Sequence, residues 1–122
     1  MSVGKVKRRP APRLTKARYL TMVEQATVDA YGDSEQIGGW FTVIQENLEV
    51  PFAIVVLGAP ATVERIDLTR SEHIVAVCRR GRARQLLPIL KLSLPTPPPK
   101  GAEWIDAYRR WCSQSGLSGD TR

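Results

Sequence analysis

The chain has 122 residues, 43% of them hydrophobic, and a formal net charge of +6. That suits one domain with a modest core, and the longest apolar run, Phe52–Leu57, is far too short to span a bilayer. Two cysteines without CxxC spacing and a single histidine argue against a structural zinc centre, and no Ser-His-Asp or Cys-His arrangement of a hydrolase is in view.

The positive charge sits at the start. Residues 1–18 hold Lys5, Lys7, Arg8, Arg9, Arg13, Lys16 and Arg18 and no acid; the other 11 bases face 12 acids. A basic start without an apolar segment argues against a secretory signal and leaves a cytoplasmic setting as the expectation. Residues 1–14 are Pro-rich and lack an apolar period, the pattern of a disordered tail. From Tyr19 to Glu64 there is no Lys or Arg, while Glu24, Asp29, Asp33, Glu35, Glu46, Glu49 and Glu64 make one acidic sector.

A single domain is expected over 15–114. Its first helix starts near Thr15, with Tyr19, Val23, Ala26 and Ala30 on one stripe, and Gly32 is its expected stop. Asp33 opens a second helix carrying Ile37, Trp40, Phe41, Ile44 and Leu48, with Asp33 and Gln36 spaced as in a capping box. Gly38-Gly39 inside that helix costs about 1 kcal/mol per glycine against alanine, which implies close backbone packing or a later helix start.

Pro51 ends the helical part, 15–48. Strand-like runs follow over 52–94: Phe52–Leu57, Thr62–Leu68, His73–Arg80 and Arg84–Leu92, with Pro88 marking an edge or a bulge. Cys78 alternates within an apolar run and reads as a buried small hydrophobe; His73 opens its strand and reads as exposed. Residues 95–101, PTPPPKG, form a stiff spacer. Residues 102–114 read as an amphipathic helix with Trp104, Ile105, Tyr108 and Trp111 on one face, and 115–122 as a frayed end. The fold class is therefore α+β: two N-terminal helices, four to five short strands able to curl into an SH3-like barrel, and one C-terminal helix. The expected core includes Trp40, Phe41, Ile44, Phe52, Ile66, Val75, Val77 and Trp104.

Two constellations carry chemistry. Asp29, Asp33 and Glu35 place three carboxylates within seven residues, the hard oxygen donors that calcium takes. The same residues also suit a helix joint, with Asp33 as cap and Glu35 in the first turn, where the helix dipole favours acids. Arg79, Arg80, Arg82 and Arg84 surround Gly81, so a hairpin tip would carry four guanidinium groups. With the basic tail they could grip nucleic acid or another polyanion; a solvated, edge-protecting hairpin is the plainer role.

The stretch YGDSEQIGGWFTVIQENLEVPFAIVVLG, Tyr31 to Gly58, resembles the core of the small bacterial CcbP-type calcium-binding family. HIVAVCRRGRARQLLPILKLSLP and WIDAYRRW resemble its later hairpin and closing helix. The resemblance covers roughly Ala17 to Trp111. It implies an SH3-like fold and a non-catalytic calcium-binding or calcium-responsive protein, with Asp33 and Glu35 as calcium ligands and Trp40 beside them; a protein partner is a separate expectation. Asp29 is a further candidate ligand. The chain departs from the family in its basic charge and acid-poor strands.

Overall fold

A computed structural model describes residues 14–115, so the readings made for the basic tail and the last residues lie outside it apart from their innermost positions. Two helices come first, α1 (Lys16–Thr27) and α2 (Asp33–Asn47). Four strands follow, β1 (Phe52–Val56), β2 (Ala59–Leu68), β3 (Ile74–Arg80) and β4 (Ala83–Pro88). A short 3-10 turn at Ile89–Lys91 and the helix α3 (Ala102–Ser115) complete the order.

Thr15 starts α1: its hydroxyl accepts the Arg18 N–H at 3.1 Å, satisfying one of the amides that a helix leaves unpaired at its start. The stop differs from the expectation. Val28 is the last half-helical residue, and Asp29 takes the left-handed conformation (φ 58°) that glycine more often supplies there. Gly32, at φ −136°, is instead the residue before α2. Asp33 is thus the first helical residue rather than a cap, and the capping box with Gln36 does not form. Glu35 does part of that work: its carboxylate accepts the Tyr31 N–H at 2.7 Å.

The α1–α2 crossing accounts for the glycine pair. A Cβ on Gly39 would overlap the Ala26 carbonyl oxygen and lie 3.2 Å from its carbon, whereas one on Gly38 would meet nothing within 4 Å. Only Gly39 is required by packing.

The strands form one antiparallel sheet in the order β1-β2-β3-β4. This is an α+β fold, but the expected barrel does not close among the described residues, because β1 and β4 each pair with one neighbour and end the sheet. Two-residue turns set the hairpins. Leu57 and Gly58 both have positive φ, as a type I′ turn needs; Gly81 alone is positive in the second, the glycine-first pattern of type II′. Pro88 closes edge strand β4, where its missing N–H costs no ladder bond.

One face of the sheet packs on the helices. Ile54, Ala61, Val63, Ile66, Ile74, Ala76 and Cys78 belong to the same buried cluster as Met22, Trp40, Ile44, Ile89, Ile105 and Cys112. At its centre the Trp40 ring meets Trp104 (6.3 Å between centroids), Tyr108 (5.7 Å) and Trp111 (5.7 Å), an arrangement that adds to simple area burial. Two expected core residues, Phe41 and Phe52, are only half-buried. Val75 and Val77 are buried but on the other side. Alternation along β3 puts them on the outer face, bracketed by Asp67 and Pro88 and by Arg65 and Leu86.

Arg109 of α3 anchors the chain after β4. Its Nε and Nη2 donate to the Ile89 carbonyl at 3.0 and 2.8 Å, and Nη2 also donates to the Leu92 carbonyl. The proline-rich 95–101 segment is tied down at its end: Glu49 N–H donates to the Lys100 carbonyl at 2.8 Å. Gly101, at φ 88°, lies so close to Asn47 and Leu48 that no side chain fits. No helix among the described residues is long and apolar enough to cross a membrane.

Candidate functional site

The three carboxylates of the acidic turn do not converge. Asp29 lies in the left-handed joint, whereas Asp33 and Glu35 occupy the first and third positions of α2. At 100° per residue, helical positions two apart face nearly opposite ways. Glu35 is turned back onto the Tyr31 amide, and Ser34 between them donates to Glu72 Oε2 at 2.5 Å. No group of three His, Cys, Asp or Glu able to hold a metal ion occurs among the described residues. Trp40, seven residues along α2, is fully buried in the aromatic cluster, and its indole N–H has no hydrogen-bond partner among the described residues.

The arginine tip is more organised than the sequence implies. β3 and β4 pair Arg79 with Arg84 and Arg80 with Ala83, so Gly81 and Arg82 form the turn. Arg79 also faces Thr62 of β2. One residue beyond that pairing the register shifts: Val63 opposes Cys78 and Arg65 opposes Val77, leaving Glu64 as the extra residue of a bulge. A bulge puts two successive side chains on one face. Glu64 and Arg65 both join the outer face of the sheet, beside Arg79 and Arg84.

Glu64 spans the two arginines. Its Oε2 lies 3.0 Å from Arg79 Nε, and its Oε1 accepts from Arg84 Nε at 3.0 Å. The hydrogen bond from Arg84 is the main cause holding the Glu64 carboxyl below its usual range, with the charges of Arg84, Arg79 and Arg65 adding to it. Both contacts run through Nε. A guanidinium has five N–H donors, so each arginine keeps further donors beyond the one that meets the shared carboxylate. The arginines are 52% and 60% exposed. Arg80 and Arg82 are exposed and make no ion pair among the described residues. Five positive groups therefore crowd one end of the sheet against one carboxylate, while Asp67 lies at the opposite end of the same face, level with Val75 and Pro88.

Arg79, Arg80, Arg82 and Arg84 were legible as a cluster from the sequence; Glu64 and Arg65 were not. They lie fifteen or more residues before the tip, and the bulge breaks the simple alternation that would have placed them. The outer face carries no aromatic side chain, since the one aromatic residue of the strands, Phe52, pairs with inward-facing Val63.

The thiols are buried. Burial pushes the Cys78 thiol up from its usual range, and burial chiefly does the same at Cys112, which shares a hydrogen bond with Tyr108. Neither has the electropositive, exposed setting of a reactive cysteine. No family model, curated protein or solved structure matches this chain.

Proposed function

We propose that the chain is a binding module that grips the phosphate backbone of nucleic acid through the β3–β4 tip and the adjoining outer face of the sheet. The observation that carries this reading is the Glu64 tether. By holding Arg79 and Arg84 side by side, it positions two half-exposed guanidinium groups whose remaining N–H donors suit phosphate contacts. Arg65, Arg80 and Arg82 add charge around them. Lacking aromatic platforms, the face has nothing on which to stack bases, so binding is independent of sequence. The basic run at 1–13, outside the described residues, adds further positive charge to the same chain.

The Asp29–Glu35 turn we read as a helix joint rather than a calcium site. Its carboxylates diverge, one of them serves the Tyr31 amide, and the positive end of the α2 dipole opposes a cation. The calcium site that the CcbP-type resemblance implies would require the ion to draw these groups together.

Amide NMR of the full chain with a short duplex oligonucleotide at low salt tests the reading. Shifts should cluster at Thr62–Arg65 and Arg79–Gln85. Shifts confined to the acidic turn, or none at all, would overturn it.

A further inference from the structure

At the other end of the sheet lies an open pocket of about 180 Å³, lined by Ile37, Ser71, Glu72, His73, Ile74, Pro88, Leu90 and Tyr108. Five of these supply an apolar floor and wall: Ile37 from α2, Ile74 and Pro88 from the sheet, Leu90 from the 3-10 turn and the Tyr108 ring from α3. The β2–β3 turn supplies the polar rim.

That rim is held in place. Glu72 Oε2 accepts the Ser34 hydroxyl at 2.5 Å, and Ser34 and Ile37, three apart on α2, share the face toward the pocket. The bond pins the α2 start to the turn, and Glu72 Oε1 has no hydrogen-bond partner among the described residues. On the other side His73 Nδ1 lies 3.0 Å from Ser71 Oγ, which is 3.2 Å from Thr69 Oγ1, so the ring is oriented and Nε2 has no partner among the described residues. Glu72 sits at φ 66°, a left-handed conformation that glycine takes without strain. A glutamate kept at a glycine position, hydrogen-bonded and at the mouth of a pocket, is the kind of local strain found at binding sites.

We infer that this pocket binds a small organic ammonium with an apolar tail. The Glu72 carboxylate pairs with the cation, and the aliphatic floor with the edge of the buried Tyr108 side chain takes the tail. Among the described residues no lysine or arginine lines the pocket, so Glu72 is the one charged carboxylate on its rim. A cavity of ~150 Å³ holds benzene, so the volume here suits a ligand the size of benzylamine. This site lies apart from the arginine face and does not rest on the nucleic-acid reading.

Amide NMR of the full chain, titrated with benzylamine at constant ionic strength, tests the inference, with benzyl alcohol and benzoate as neutral and anionic controls. Benzylamine should give saturable shifts at Ile37, Ser71–Ile74 and Leu90 with Kd of ~1–10 mM, as so small a ligand allows. The alcohol should bind several-fold more weakly, and benzoate should leave those amides unmoved. Glu72→Gln, which keeps the Ser34 contact and removes the charge, should weaken benzylamine ~10-fold, in line with loss of a charge-assisted bond. Glu72→Gly should lose binding to the same extent without lowering the melting temperature, which separates loss of the site from loss of fold. Shifts that grow linearly without saturation, equal binding of benzoate, or full affinity in both Glu72 variants would overturn the inference.

Discussion

Replacing each glycine of the α2 pair by alanine should move stability in opposite directions. At Gly38 an added Cβ meets nothing within 4 Å. Only the helix preference acts there, and it favours alanine by ~1 kcal/mol. In a domain of this size that gain raises the melting temperature by ~4–8 °C. At Gly39 the same gain is opposed by overlap with the Ala26 carbonyl oxygen. That atom belongs to the α1 backbone and cannot rotate aside, so relief requires the two helices to part. Overpacking of this kind costs ~1–3 kcal/mol and sometimes more; an unyielding backbone contact belongs at the upper end, leaving a net loss of ~2 kcal/mol after the ~1 kcal/mol helix gain. Urea unfolding followed by tryptophan fluorescence measures both variants. If Gly39→Ala also stabilises the protein, the helix crossing described here is wrong.

Further outcomes can be measured on the same protein. Trp40→Ala should cost ~3–5 kcal/mol, while Trp40→Phe should cost much less, because the indole N–H it removes has no hydrogen-bond partner among the described residues; chemical unfolding compares them. Arg109→Ala should lose ~2–3 kcal/mol by leaving the Ile89 and Leu92 carbonyls without their charged donor, with equal stability in the variant as the contrary result. Because the Glu64 carboxyl is held below its usual 4.5, the tether's contribution is complete above that pH and is lost as pH falls through the lowered value. A carboxyl NMR titration of Glu64 should show the depression and its disappearance in Arg84→Ala. Millimolar calcium should leave the melting temperature unchanged; a rise abolished by Asp33→Asn/Glu35→Gln would restore the calcium reading. Arg79→Lys/Arg84→Lys should weaken nucleic-acid binding several-fold at the same charge, since lysine cannot form the fork.

Local signals were read best where chemistry acts along the chain. The periodicity of α2 and α3 pointed to buried Trp40, Ile44, Trp104 and Ile105, and Gly81 with its flanking arginines marked the second hairpin. Readings failed where a neighbour in space decides. Gly32 looked like the end of α1, but Asp29 took the left-handed position three residues earlier; α2 begins at Asp33 as expected, and its helical geometry points Asp33 and Glu35 apart. Val75 and Val77 are buried as expected, but on the outer face: β3 buries one row against the helices and the other among its strand neighbours. Glu64 became visible only through a bulge, a feature of strand pairing that alternation in one strand cannot reveal.

The most direct test of the nucleic-acid reading is the salt dependence of duplex binding by the full chain, with and without Arg80→Ala/Arg82→Ala. Neither arginine holds an ion pair among the described residues, so the fold should survive the change. With four or five phosphate contacts, log K should fall against log salt with a slope of about −4. The double substitution should make that slope shallower by ~2, about one for each phosphate contact removed. A slope left unchanged by the substitutions, or binding that ignores salt altogether, would contradict the account.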